Sequence, residues 1–495
     1  MSAIKKLLGQ TALYGLSSIV GRLLNYLLVP LYARTLSVAD NGILNEWYAY
    51  AGVLLVFFSF RMESAFFRYR TPETDRRAAY NSGLVALLAV SGLLTLLAFL
   101  FTPQIAGWMR YADRPEFVRM FALILALDCL SELPYARLRM EERPLRFVAG
   151  KLLHISVNIL LNLFWLLYCP RAHAAGAMWV REVWSPEIGV GYVFLSNLIA
   201  SAVVLLYLGP QLWGFWRAFD GVLLKKMLRY AAPLIVVQLA GVSNQLLDRL
   251  LLRLLLPGSD AENLVQLGIY GNNFKLAMLI AIFTQAYRYA AEPFFFKQAD
   301  DPNAPETLAK ATRAFTLFGA VGVAGVLLGL DILKHLLTPA YFEGLKVLPP
   351  LLMANLLLGI YYNISVWYRL RDKTSYGAWI TLAALALTLF ANLLLTPRIG
   401  YMGAALAAMA SNALMCWAAW NWGQKHYPVN YPWRDMALYS LTPFGLYAVL
   451  TWLKSAFDVL WLGPVAGATL FAGFVTWVIR REKIWPDRLA KRFGL

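Results

Sequence analysis

Apolar runs of about twenty residues recur along this sequence from end to end, and short polar segments separate them. A hydrocarbon core about 30 Å thick needs about 20 mainly apolar residues in a helix, so each run predicts a membrane-spanning helix. The pattern predicts fourteen helices, at 10–33, 42–64, 79–101, 117–138, 146–169, 188–208, 231–256, 266–290, 311–333, 345–368, 374–396, 401–422, 436–454 and 460–480. No soluble domain fits between them. We therefore expect an all-α polytopic membrane protein.

The composition agrees with this expectation and adds a strong positive charge. Of the 495 residues, 60% are hydrophobic and 15% are charged, and the formal net charge is +17. Basic residues concentrate in alternate loops, such as "RYRTPETDRR" and "RLRMEERPLR". Because Lys and Arg mark cytoplasmic loops, this bias predicts that both termini face the cytoplasm. Basic loops that face anionic lipid also explain most of the surplus charge, so we do not expect a nucleic-acid partner.

Motifs for catalysis, metals and cofactors are missing from the sequence. Cys129, Cys169 and Cys416 lie far apart, without the close spacing of metal sites, so we predict neither a disulfide nor a zinc site. No metal motif, nucleophile elbow or phosphate-binding glycine loop occurs. The longest loop predicted outside, at about 170–187, is short and holds one histidine. We therefore expect no cofactor and no enzymatic activity.

The segment at 209–230 lies between the sixth and seventh predicted helices and separates two halves of the chain. It mixes Trp and Phe with basic residues, and this pattern predicts an amphipathic linker in the cytoplasmic interface. We accordingly predict an N-terminal bundle at 1–208, a C-terminal bundle at 231–422, and a final part at 423–495 with two helices and a basic cytoplasmic tail.

Two pairs of segments repeat between these halves in the same order. "LLVPLYARTLSVADNGILNEWYAY" (27–50) and "LLLRLLLPGSDAENLVQLGIYGNNFK" (250–275) both contain an apolar helix, a polar turn, and then Gly in a renewed helix. "PEIGVGYVFLSNLIAS" (186–201) and "PRIGYMGAALAAMASN" (397–412) share Pro, one residue, Ile and Gly before a helix rich in small residues. Parallel repeats are typical of transporters with a substrate cavity between the two halves.

These segments also carry a family resemblance. "VPLYARTLSVADNGILNEWYAYAGVLLVFFSFRMESAFFRYR", "LDRLLLRLLLPGSDAENLVQLGIYGNNFKLA" and "LLLTPRIGYMGAALAAMASN" resemble bacterial polysaccharide flippases of the multidrug/oligosaccharidyl-lipid/polysaccharide exporter superfamily. The resemblance implies two six-helix bundles around a central cavity, plus two C-terminal helices. One departure is the polar turn "PGSDAENLVQ", which is longer than its counterpart "SVAD" in the first half.

The resemblance also implies a substrate and partners. The substrate would be an undecaprenyl-pyrophosphate-linked oligosaccharide, moved from the cytoplasmic to the outer leaflet of a bacterial inner membrane by alternating access. Membrane lipid, Na⁺ or H⁺, and a polysaccharide polymerase or glycosyltransferases are the implied partners. A cation-coupled drug exporter of the same superfamily is the alternative, and it would need dominant carboxylates in the cavity rather than cations.

A diphosphate headgroup needs cations, and Arg offers a fixed fork of donors to phosphate oxygens. Arg22 is the first candidate, because it lies near the middle of the first predicted helix, on the same face as Asn25. We include both in a predicted substrate cavity, together with Glu46. The alternative for Arg22 is a structural ion pair with Asp128 or Glu46.

The seventh predicted helix carries a second group of candidates. Arg249 and Arg253 are four residues apart and so share one helix face. Gln245 and Asp248 belong to a polar stripe of the same helix, and we predict that Gln245 and both arginines line the cavity. The alternative is that both Arg side chains extend to the outer interface.

Two further helices add polar candidates. His154 and Asn158 recur at helical spacing in the fifth predicted helix, together with Lys151 and Asn162. Lys275 lies well inside the eighth predicted helix. We place His154, Asn158 and Lys275 in the predicted cavity, and for each Asn an interhelical packing contact remains the alternative.

Carboxylates inside the membrane suggest ion coupling. Asp128 and Glu132 are four residues apart in the fourth predicted helix, and Asp248 is the third acidic candidate. In the competing interpretation, Asp128 pairs with Arg22, and Glu132 pairs with Arg137 or Arg139.

Overall fold

The computed structural model describes residues 20–21, 23–69, 76–213, 219–297, 301–457, 459 and 461–482. All regular secondary structure within these residues is helical. The all-α fold predicted from the sequence is therefore confirmed. Arg22 lies outside the described residues, so its predicted role stays a prediction.

Long helices follow the predicted order. They are α1 (Leu28–Thr35), α2 (Val38–Ser59), α3 (Arg76–Leu100), α4 (Glu116–Met140), α5 (Pro144–Leu163), α6 (Gly191–Tyr207), α7 (Gly221–Leu255), α8 (Asp260–Lys297), α9 (Ala304–Leu328), α10 (Leu348–Ile364), α11 (Thr374–Ile399), α12 (Tyr401–His426), α13 (Trp433–Ala456) and α14 (Leu462–Glu482). Short helices between them are Met62–Arg68, Thr102–Trp108, Cys169–Ala174, Val180–Val183, Gly209–Leu212, Leu330–Leu333 and Val366–Leu370. One π-helical turn, Phe164–Tyr168, follows α5, and 3-10 turns occur at Pro186–Ile188, Lys334–Leu336 and Pro339–Val347.

Within the described residues, 11 helices are long and apolar enough to cross a membrane, or up to 12 if the bent pair Val180–Ile188 and Gly191–Tyr207 forms one span. The helix α4 is not among them, because it carries several charged residues, including Asp128 and Glu132. The predicted count of fourteen spans therefore stays a prediction. The chain is a multi-pass membrane protein in either case.

Capping residues explain where two important helices begin. Ser37 and Asp40 form a capping box at the start of α2, in which Asp40 N–H donates to Ser37 Oγ (3.0 Å) and Ser37 N–H donates to Asp40 Oδ2 (3.3 Å). At the start of α7, Asp220 Oδ1 accepts the Val222 and Leu223 N–H groups (2.9 and 3.0 Å). This cap starts α7 at residue 221, so residues 221–230 are its first turns rather than part of a separate linker helix as predicted.

The chain forms two compact units, Met1–Gly268 and Ile269–Leu495. In the first unit α3 packs on α4, α5 on α6, and α2 on α7. In the second unit α12 packs on α10 and α11, and α9 packs on α10. The bundle boundaries that we predicted at 208, 231 and 422 stay a prediction.

The last two helices are attached to α9. Small residues permit this contact, since a Cβ at Gly467 of α14 would overlap the carbonyl oxygen of Leu328. Beside it lies an apolar cluster of buried residues from the three helices: Leu317, Ala320, Ala324, Leu328, Tyr439, Leu450, Phe474 and Val478. The two C-terminal helices are therefore packed parts of the second unit.

Ion pairs hold both ends of this three-helix group. At one end Arg313 of α9 binds Asp435 (3.0 Å) and Glu482 (2.8 Å), and Arg481 also binds Asp435 (2.7 Å). At the other end Asp331 binds Lys454 of α13 (2.8 Å). Each end is thereby fixed by charges on different helices.

We predict that Gly467→Ala destabilises the protein by about 1–3 kcal/mol, because the added methyl group would overpack the contact between α14 and α9. The measurement is thermal unfolding of the purified protein in detergent. Gly473→Ala in the same helix is the matched control, since a Cβ there would meet nothing within 4 Å. Equal melting temperatures for the two variants would contradict this account of the α14 contact.

Candidate functional site

A buried arginine joins three segments at one end of the first unit. Arg253 lies in the last turn of α7, and its side chain is 2% exposed. It reaches Glu46 of α2, Asp260 at the start of α8, and the loop that carries Arg110 and Tyr111. We call these five residues the Arg253 cluster.

Every donor nitrogen of Arg253 is used in this cluster. Nη1 donates to Glu46 Oε2 (2.8 Å), Nε donates to Asp260 Oδ1 (2.9 Å), and Nη2 donates to Asp260 Oδ2 and to the Arg110 carbonyl (3.2 Å). The guanidinium carbon lies 4.6 Å from the centroid of the Tyr111 ring. The cluster therefore combines ion pairs, backbone hydrogen bonds and a cation–π contact around one charge.

The remaining members complete the charge balance. Tyr111 Oη donates to Glu46 Oε2 (2.5 Å), and Arg110 Nη1 lies 3.1 Å from Asp260 Oδ1. Two arginines thus face two carboxylates. Arg110 has a φ of +62°, which a non-glycine residue adopts only with strain, and its carbonyl oxygen is aimed at Arg253.

Asn263 fixes the turn between α7 and α8. Its Nδ2 donates to the carbonyls of Arg253 (3.1 Å), Leu256 (2.9 Å) and Gly258 (3.2 Å). Ser259 and Glu262 begin α8 as Ser37 and Asp40 begin α2, since Ser259 N–H donates to Glu262 Oε2 (2.8 Å). Both repeated segments therefore start a helix with a serine and an acid three residues later.

Beside the cluster, two glycines let the backbones of α2 and α8 touch. A Cβ at Gly42 would overlap the carbonyl oxygen of Leu264, and a Cβ at Gly268 would overlap that of Val38. Both glycines belong to the repeated segments found in the sequence. This end of the first unit is therefore closed by a close helix crossing together with a buried ion network.

This arrangement changes the interpretation of two predicted cavity residues. Glu46, which is 1% exposed, and Arg253 bind each other. The alternative in which Arg253 extends to the outer interface is wrong, because its side chain is 2% exposed and is paired with Glu46 and Asp260. Substrate binding by Glu46 or Arg253 stays a prediction, and it would require the cluster to separate.

Neighbouring positions of α7 differ in exposure. Gln245 is exposed, and Arg249 is half-buried. Asp248 is 4% exposed, and its Oδ1 accepts the Arg249 N–H (2.9 Å). Substrate binding by Gln245 and Arg249 and ion coupling by Asp248 stay predictions.

A second polar group lies inside the first unit, between α4, α5 and α6. Ser201 Oγ donates to Asp128 Oδ1 (2.7 Å), and His154 Nε2 lies 3.3 Å from the same Oγ. Because the single hydroxyl hydrogen is used on Asp128, Nε2 must carry the hydrogen that bridges to Ser201. We call this chain of three residues the His154 relay.

Asn158 continues this polar face of α5 toward α1. Asn162 Nδ2 donates to Asn158 Oδ1 (3.1 Å), and Tyr32 Oη donates to Asn162 Oδ1 (3.1 Å). The amide of Asn158 thus bonds within its own helix, and Asn162 makes the contact with the neighbouring helix. Sugar binding by Asn158 stays a prediction.

Carboxylate pairing in α4 differs from one expectation. Arg137 binds Glu141 (2.7 Å) and Arg139 binds Glu63, so the predicted pairing of Glu132 with Arg137 or Arg139 is wrong. Both arginines lie near the end of the helix, where other acids are closer. Glu132 Oε2 is buried and accepts no hydrogen bond from the described residues.

Two other cavity candidates, Asn25 and Lys275, are not members of either group. Asn25 is exposed on the helical stretch before α1. Lys275 is in the second unit, where its Nζ donates to Asn272 Oδ1 (2.8 Å). Their predicted roles remain untested.

Sequence reasoning missed four residues of these groups, namely Arg110, Tyr111, Ser201 and Asp260. Asp260 stands seven residues after Arg253, beyond a Pro-Gly turn, so spacing within one helix could not connect them. Ser201 is inside a repeated segment, but nothing in the sequence marks its partner. The cysteines Cys129, Cys169 and Cys416 are buried and free.

Comparisons with known proteins agree with this architecture. Residues 7–133 match the family model described as "Polysaccharide biosynthesis protein". A search of curated proteins finds no match. Among solved structures, the lipid II flippase MurJ in an inward closed conformation aligns with a TM-score of 0.73 at 13% identity, covering 95% of this chain and 99% of that one.

Multidrug transporters of the MATE family also share the fold. An inward-facing MATE transporter of the MOP superfamily aligns with a TM-score of 0.65 at 14% identity over 84% of this chain and 95% of that one. A MATE transporter in complex with MaD3S gives 0.57 at 14% identity, over 88% and 96%. The fold that the sequence resemblance implied is therefore confirmed.

We predict that Arg253→Met destabilises the protein by about 3–5 kcal/mol, because it leaves Glu46 buried without its cation. Thermal unfolding of the purified protein measures this loss. The double variant Glu46→Met with Arg253→Met should be more stable than Arg253→Met alone, since Arg110 still faces Asp260.

Arg110→Met is the matched control for this experiment. The ion pair of Arg110 with Asp260 is about half exposed (48% and 42%), so its loss should cost at most about 1 kcal/mol. If Arg253→Met were no less stable than Arg110→Met, the buried cluster would not hold this end of the unit together.

Proposed function

We propose that this chain, whose fold is that of the multidrug/oligosaccharidyl-lipid/polysaccharide exporter superfamily, is a flippase for a polyprenyl-pyrophosphate-linked oligosaccharide. The match of residues 7–133 to a polysaccharide biosynthesis family, within a transporter fold, is the observation that carries the proposal. The undecaprenyl carrier, the direction toward the outer leaflet and the bacterial inner membrane belong to the same proposal.

Alternating access needs an end of the protein that can close and reopen. The Arg253 cluster suits this task, because its charges are paired when it is closed and can be hydrated when it opens. With both termini in the cytoplasm, as the basic loops predict, the starts of α2 and α8 face outward. The cluster would then be the outer latch, closed while the headgroup enters from the cytoplasm.

Arg22 and Arg249 are our proposed diphosphate ligands. A forked guanidinium donates two hydrogen bonds to phosphate oxygens, which an ammonium group cannot reproduce in the same geometry. Asn25, Gln245 and Lys275 would contact the sugars or phosphates nearby. The polyprenyl tail would remain in lipid.

Replacing Arg22 or Arg249 by Ala should lower substrate affinity about tenfold or more, since each loses a charge-assisted hydrogen bond worth about 1.5–3 kcal/mol. Lys should rescue only partly. The measurement is the binding and flipping of a lipid-linked oligosaccharide diphosphate in proteoliposomes, with folding checked by thermal unfolding.

Arg398→Ala is the control, because this exposed arginine bonds only the Leu394 carbonyl of its own helix in the described contacts. It should flip the substrate as the wild type does. Normal flipping by both Ala variants would overturn the cationic groove and favour a drug exporter, for which the MATE-like fold is the supporting observation.

For the driving force, we propose proton coupling through the His154 relay. Ser201 bridges an imidazole and a carboxylate, so with His154 protonated, transfer of one hydrogen from Nε2 to Ser201 Oγ and of another from Oγ to Asp128 would convert the ion pair into a neutral pair. Glu132 lies four residues from Asp128 on the same helix face. It would act as a second carboxylate that takes up and releases the coupled proton. Na⁺ is the competing ion.

Ser201→Ala should remove the dependence of flipping on a pH gradient, since it breaks the bridge between His154 and Asp128. Flipping is measured in proteoliposomes with and without an imposed pH gradient. Ser196→Ala, on the same helix, is the control, because Ser196 Oγ donates only to the Tyr192 carbonyl in the described contacts. Unchanged gradient dependence in Ser201→Ala would exclude the relay, and a requirement for Na⁺ would replace it.

A further inference from the structure

A cavity of about 380 Å³, lined by both charged and apolar residues, adjoins the Arg253 cluster in the first unit. Small ligands commonly occupy pockets of about 300–1,000 Å³. Its lining comes from the first turns of α2 and α8, the end of α7, the loop at 110–117 and the turn at 188–190. Tyr111, Phe117, Val190 and Arg253 are its buried members, so they form its inner wall.

The charges of this lining are balanced. Three arginines, Arg110, Arg114 and Arg253, stand with three aspartates, Asp40, Asp113 and Asp260. A multiply charged anion would meet as many carboxylates as cations, and the guanidinium of Arg253 is already saturated by protein acceptors. The lining therefore does not favour a phosphate.

A polyhydroxylated ligand fits these groups better. Carboxylates accept hydrogen bonds from hydroxyl groups, guanidinium groups donate to them, and aromatic rings pack against the apolar faces of sugar rings. The lining offers all three kinds of group within one cavity, with Tyr111 and Phe117 as the aromatic wall. Asp113 has 80% of its side chain exposed and can accept hydroxyl donors without breaking an internal contact of the cluster.

The cavity and the latch share residues. Arg110, Tyr111, Arg253 and Asp260 belong to both. A hydroxyl-rich ligand would compete for the same donors and acceptors that close the cluster. A ligand shifts a conformational equilibrium by its differential affinity for the two states, so an occupant that uses these groups favours the separated state.

We propose that this cavity binds a short neutral oligosaccharide and that its occupancy loosens the Arg253 cluster. The described lining does not include Arg249, a proposed diphosphate ligand, so the proposal goes beyond the proposed flippase activity. Sugar on the side of the membrane that this end faces would then promote the opening of this end.

The test uses the purified full-length protein in detergent, with Cys129, Cys169 and Cys416 replaced by Ala and Ala261→Cys added. Ala261 is an exposed residue of the lining, so a maleimide should modify the new cysteine. We expect cellobiose, maltotriose or di-N-acetylchitobiose to slow this modification at least threefold. Asp113→Asn should weaken the protection, because it removes a carboxylate acceptor.

Trp108→Cys in the same background is the control, since Trp108 is 84% exposed and does not line the cavity. Its modification should be unaffected by sugar. Absence of protection by all three sugars, or equal slowing at both cysteines, would overturn the binding site.

Hydrogen exchange tests the coupling to the latch. With sugar bound, the backbone amides of residues 256–263 should exchange faster, while those of residues 238–246 should not change. Protection of the cysteine without faster exchange would overturn the coupling. Neither measurement involves flipping. Failure of sugar binding would therefore leave the proposed flippase activity standing, and failure of the flipping assay would leave the sugar site standing.

Discussion

The charge of Arg253 decides how one end of the first unit is built. A guanidinium group that is removed from water costs several kcal/mol unless charged and polar partners replace its hydration. No single segment supplies those partners, so α2 contributes Glu46, the start of α8 contributes Asp260, and the loop before α4 contributes a backbone carbonyl and Tyr111. Closing the cluster therefore requires all of these segments to come together at once.

An ion network is also a reversible way to close this end. Well-packed apolar residues in place of a buried ion pair often give equal or greater stability, but such a seal would expose apolar surface whenever it opened. Glu46, Arg253 and Asp260 would instead be hydrated on separation, which offsets most of the lost Coulomb attraction. Under the proposed function, this hydration would keep the free-energy difference between the closed and open states small, as alternating access requires.

Much of the fold could be predicted from the sequence, because long apolar runs mark membrane helices. The starts of helices were less accurate: α7 begins ten residues before its predicted start, since the basic residues 225–229 looked like part of an interfacial linker. The side chain of Asp220 accepts two free N–H groups there and extends the helix backward. The capping hydrogen bonds of Asp220 thus set the start of α7, although the composition of the segment indicated a linker.

Less of the site could be predicted, because helical spacing relates only residues of one helix. It placed Arg249 beside Arg253, and His154 beside Asn158, but it could not show that Arg253 meets Glu46 from a position 207 residues away. Helical spacing also assigned Glu132 to Arg137 or Arg139, but these arginines bind other acids, Glu141 and Glu63.

The repeated segments explain why the charges meet where they do. Both begin a helix with a serine and an acid three residues later, and both carry a glycine that permits close backbone contact, Gly42 and Gly268. The first segment carries Glu46 and the second carries Arg253, and these opposite charges bind each other. The two glycines permit the close approach, and the unlike charges of the two segments supply the attraction that holds it.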